Sequence, residues 1–64
     1  MMFGEYLVKN GALTQDQVDE ALTVQQKMSS ESGKKKLIGE IVIDLGYAAK
    51  ENIEQMLIKY FKED

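Results

Sequence analysis

Two stretches of this chain are versions of each other, and that duplication limits the folds open to it more than any other feature. FGEYLVKNG, from Phe3 to Gly11, aligns with IGEIVIDLG, from Ile38 to Gly46. Gly4 falls on Gly39, Glu5 on Glu40 and Gly11 on Gly46, at an offset of 35 residues, while Tyr6-Leu7-Val8 falls on Ile41-Val42-Ile43. Repeats of this period mark supersecondary units that bury their apolar faces against one another. The fold therefore has to be read as two similar halves.

The second stretch, rich in β-branched residues, reads as a strand when taken alone. Its counterpart is a better helix former. Phe3, Tyr6, Leu7 and Asn10 keep helical spacing, and Gly11 can adopt the left-handed conformation that ends a helix. Thr14 followed by Gln17, with Leu13 and Val18 around them, satisfies both the capping box and the hydrophobic staple, so a second helix starts there. Its apolar stripe runs Val18, Ala21, Leu22, Gln25 and Met28, with Asp16, Asp19 and Glu20 at the positive end of its dipole. Ser29 to Lys36 (SSESGKKK) has no apolar residue and reads as an exposed connector.

In the second half, Leu37, Ile38, Ile41, Val42 and Leu45 form one helical face. A last helix over roughly 49–62 carries Ile53, Met56, Leu57, Tyr60 and Phe61, with a weak cap because Ala49 stands where Thr14 stood. The expectation is an all-α fold: two tandem helical hairpins closing a small four-helix bundle. Repeat 1 spans 2–25, the linker 26–36 and repeat 2 37–60. A mixed α/β arrangement with a strand over 40–44 is the alternative.

Size and composition exclude several functions. A chain of 64 residues buries only about 60% of its unfolded surface and has no room for a deep catalytic cleft. With neither cysteine nor histidine, it lacks disulfides, the common zinc ligands and the usual nucleophile and imidazole pairs. No metal site is expected. Asp19 and Glu20 are adjacent and point in different directions on a helix, so they are not an acid/base pair, and no enzymatic activity is expected. Eight lysines stand against eleven carboxylates, net −3, without one arginine. Arginine is the residue whose planar fork grips phosphates and guanine edges, so DNA and RNA are not expected partners. No segment has the length and apolarity of a membrane span, and no leader pattern is visible, which makes the cytoplasm the expected location. A domain this small without staples calls for a protein partner, a second copy, or a larger protein around it.

Gly4-Glu5-Tyr6-Leu7, Gly11, Leu13-Thr14, Val18, Ala21-Leu22 and Gln25 together resemble the repeat of the MshEN domain, the N-terminal domain of type II secretion and type IV pilus assembly ATPases. Gly39-Glu40-Ile41-Val42, Gly46, Ile53, Leu57 and Tyr60 resemble a second copy. The resemblance implies a regulatory or adaptor module of a bacterial secretion, pilus or motility system, and in some family members a site for cyclic di-GMP. Such a site uses an arginine opening each repeat and a glutamine closing it. Here Met2 and Leu37 stand at the arginine positions and Tyr60 replaces the second glutamine, leaving Gln25. The resemblance places any bound nucleotide near Gly4, Gly11, Gln25, Lys36, Gly39 and Gly46, with no other cofactor. Recognition of a protein through an apolar groove between the hairpins, lined by Leu13, Gln25, Tyr47 and Tyr60, is the leading expectation. The bland alternatives are structural glycines, a glutamine bonded to a loop, and a solvated Lys34-Lys35-Lys36 run.

Overall fold

A computed structural model describes residues 2–63. Four helices follow one another: α1 (Phe3–Lys9), α2 (Gln15–Ser32), α3 (Ile38–Asp44) and α4 (Lys50–Lys62). There is no strand among the described residues. The fold is an all-α, small four-helix bundle, and the segment over 40–44 is helical. Ile41 and Val42 are buried there, while Ile43, which made the strand reading tempting, is half-buried at the side of the same helix.

The two halves repeat in detail. α1 and α3 end alike: Gly11 (φ 74°) and Gly46 (φ 81°) are left-handed, a conformation that costs a residue with a Cβ roughly 1–2 kcal/mol. The next amide then turns back into the helix, Ala12 N–H donating to Leu7 O and Tyr47 N–H to Val42 O, both at 2.9 Å. Both connections lead to a helix whose first buried residue packs on a glycine. A methyl group placed on Gly4 would lie 3.1 Å from Val18 Cγ1, and one on Gly39 would lie 3.1 Å from Ile53 Cγ2. Each equivalence keeps the sequence offset.

Contacts across the middle are reciprocal. The same methyl on Gly4 would lie 3.4 Å from Ile38 Cδ1, and that on Gly39 3.6 Å from Phe3 Cε2. Residue pairs that exchange roles in this way are the mark of a two-fold relation, here internal to one chain. α1 and α3 cross at this approximate dyad, with α2 and α4 outside them. Each outer helix packs on both inner helices, and α2 and α4 do not pack on each other. Leu7 and Val42, equivalent under the repeat, are fully buried at the centre with Leu13, Val18, Ala21, Ile41 and Ile53 around them.

Three expectations are corrected. The linker does not begin at residue 26 or at Ser29: α2 continues through Ser32 and stops where Gly33 turns left-handed at φ 72°. Serines on a solvent face do not break a helix, and Ser32 donates its hydroxyl back to Met28 O (2.7 Å). The polar run therefore reported exposure and not coil. Leu37 does not belong to the buried face of α3; it is the N-cap residue and 67% exposed. In α2, Leu22 and Met28 are exposed while Val24 packs on the core. The helix is overhung by no neighbour on the Leu22 side, so the apolar stripe is wider than the surface that covers it.

Candidate functional site

α4 leans across α3 so that a groove opens along their shared side. It holds about 410 Å³ and is floored by Ile38, Ile43, Ile53 and Leu57, with Phe3 closing one wall. Leu37, Tyr60 and Phe61 stand at its mouth, and Glu40, Lys50 and Glu54 are its charged residues. The walls are overwhelmingly apolar, because α3 and α4 are short helices whose stripes exceed what the small core covers. Phe61 is 69% exposed and Ile58, just outside the groove on α4, is 54% exposed.

An aromatic cluster fixes the end of α4. The Tyr60 ring meets Phe3 at 5.3 Å and Tyr6 edge-on at 5.2 Å, and Phe61 lies 5.7 Å from Tyr60. Such offset and edge contacts favour a single arrangement of the rings. Behind them the Tyr6 hydroxyl is buried without a hydrogen bond of normal geometry. Burial first, and then the nearby Glu63 carboxylate, raise the pKa of this phenol.

The residues expected to form a docking groove are not gathered in one place. Tyr60 lines the groove. Leu13 does not: it is 5% exposed, in the core, because as the outer half of the staple it must lie under Val18. Gln25 donates from Nε2 to Lys36 O at 2.7 Å, the loop-bonded glutamine of the bland reading. Tyr47 sits on another face, donating to Glu20 Oε1 at 2.6 Å. That bond, then burial and the Glu20 charge, raise its pKa.

The set implied for a nucleotide is similarly divided. Gly39 borders the groove, Gly4 and Gly39 are occupied by helix packing, and Gly11 and Gly46 are helix stops with open space beside them. The Lys36 ammonium is paired with Asp44, which raises its pKa, first through the hydrogen bond and then through charge. No family model, curated protein or solved structure matches this chain. No helix of the described residues is long and apolar enough to cross a membrane, and they contain no cluster of acidic, histidine or cysteine side chains able to hold a metal ion.

Ile43, Leu57 and Phe3 line the groove and Ile58 borders it, and none of the four was expected there from sequence. Ile58 carried a usable signal. It lies outside the stripe of Ile53, Met56, Leu57 and Tyr60, and a large apolar residue off the core face of a helix in a small polar domain calls for a reason.

Proposed function

We propose that this domain is a non-enzymatic recognition module, working in the bacterial cytoplasm, that receives an amphipathic helix of a protein partner in the groove between α3 and α4. The observation that carries the reading is the groove itself: an apolar floor, an exposed aromatic at its mouth, and charges confined to its edges. Helix-in-groove recognition uses this layout, with apolar anchors entering and polar groups excluded to the rim. The groove lies alongside α4 from Lys50 to Phe61, about three turns, which matches anchors at i, i+3 or i+4, and i+7. The repeat, with glycine stops at Gly11 and Gly46, supports common descent with the MshEN hairpins and hence service in a secretion, pilus or motility system.

For cyclic di-GMP the groove offers one cation, Lys50, beside two carboxylates, Glu40 and Glu54. Two phosphates need more than that. Amide-shift mapping separates the readings. A panel of amphipathic helical peptides is expected to perturb Ile43, Leu57 and Phe61, and cyclic di-GMP up to about millimolar, the weak limit of specific binding, is expected to leave the spectrum unchanged. Micromolar binding of the nucleotide, or peptide effects confined to other faces, would replace this reading.

A further inference from the structure

The groove does not end at its own edge. Going round α4 away from Ile53, the side chains met in turn are Phe61, Glu54, Ile58, Glu51 and Lys62, a continuous outer face at helical spacing. All five are exposed. Among the described residues, neither Glu54 nor Lys62 takes part in an ion pair. The face has a particular charge order: an acid one turn before Ile58 and a base one turn after it.

Such an order is self-complementary in one arrangement. If two copies of α4 lie antiparallel with Ile58 against Ile58, Glu54 of each copy comes level with Lys62 of the other, four residues to either side of the centre. Phe61 of each comes level with residues 54 and 55 of the other, beside the mouth of that copy's groove. A parallel arrangement in the same register would set Glu54 on Glu54 and Lys62 on Lys62, which is repulsive. The two-fold arrangement repeats one favourable contact twice, as an isologous interface must.

Surface area reflects incompletely covered helices, the overhanging end of α2 as well as the outer face of α4. The chain exposes 4701 Å², whereas a monomer of its 7.3 kDa is expected to expose about 4,200 Å². The excess, about 500 Å², is shared between these two surfaces, so the α4 face offers less than one side of a standard interface and suits a weak, concentration-dependent association.

We infer that a second copy of this chain docks on the outer face of α4 beside the groove, the two α4 helices antiparallel about Ile58 with reciprocal Glu54 to Lys62 pairs and each Phe61 beside the opposite groove. The inference rests on the groove and the adjoining face of α4 being one docking surface, and names the partner on that face.

Sedimentation equilibrium from about 10 µM to about 1 mM tests it, since this range brackets weak dimers. The intact chain is expected to reach the mass of a dimer at the upper end, and Ile58→Glu to remain a monomer throughout. Ile58 is outside the core, so circular dichroism of that variant should match the parent. Glu54→Lys and Lys62→Glu should each weaken the dimer by about tenfold, and the double charge reversal should restore it. A monomer at every concentration overturns the inference. So does a dimer indifferent to Ile58→Glu, or one in which the double reversal brings no rescue. If the chain is monomeric yet amphipathic peptides still perturb Ile43, Leu57 and Phe61, the second copy is overturned and the groove reading stands. If the peptides are also silent there, the groove reading fails as well.

Discussion

Lys36 is held at both ends. Its carbonyl oxygen accepts from Gln25 on α2 while its ammonium pairs with Asp44 on α3, so one residue of the connector ties the first repeat to the second. The sign of its pH dependence follows from the raised pKa. A lysine that binds its proton more tightly in the folded state contributes fully below the unfolded value, about 10.4, and loses that contribution as pH climbs through the folded one. The gap in melting temperature between the parent and Lys36→Met is therefore expected to be constant through neutral pH and to close above about pH 10.4. A gap persisting well into the alkaline range would assign the effect to packing of the lysine stem. The same residue was the candidate phosphate contact, and its engagement with Asp44 is why that role finds no support at this scale.

Among the elements, α2 and α4 are equivalent in place but unequal in capping. Thr14 accepts from Gln17 N–H at 3.1 Å and Gln17 Oε1 accepts from Thr14 N–H at 3.0 Å, whereas Ala49 makes no side-chain cap. Thr14→Ala should destabilise the protein by about 1 kcal/mol, and Ala49→Asp should stabilise it by a similar amount. Chemical denaturation reads both. Equal and opposite shifts are expected because the two helices enter at repeat-equivalent points with the same backbone bond, Val18 N–H to Thr14 O and Ile53 N–H to Ala49 O, at 3.1 Å. The existence of α2 and its start were legible in the sequence because capping box, staple and periodicity agreed at Leu13 to Val18. Its end was not. Ser29 to Ser32 favour solvent, and a long helix overhanging its partner and a solvated loop satisfy that preference equally.

Across the whole molecule, the internal dyad makes separate substitutions behave as one. Gly4 and Gly39 meet Val18 and Ile53 at the same 3.1 Å, so Gly4→Ala and Gly39→Ala should lose similar stability. Overpacking of about 1–3 kcal/mol is partly offset by the better helix propensity of alanine, leaving about 1–2 kcal/mol for each. Thermal unfolding of the two variants checks it, and a large inequality would show that the halves pack differently. The duplication itself was readable from glycine and apolar spacing, and with it the all-α class. The site was much less so. Periodicity assigns Tyr60 to a face without saying what covers it, and Leu13 is apolar whether it docks a partner or fills a core. Which stripes stay open depends on α2 and α4 standing apart, a property of the assembled helices that no local pattern carries.

That separation has one more outcome. Because each outer helix rests on the inner helix of the opposite half as well as on its own, and only residues 33–37 join the halves, a straightened connector would let the hairpins of two chains trade places. Every contact between the halves would be rebuilt between molecules, while those within each hairpin would stay in one chain. Trimming the connector thus becomes a route to an intertwined, domain-swapped form, distinguishable from the association through α4 because it would ignore Ile58 altogether.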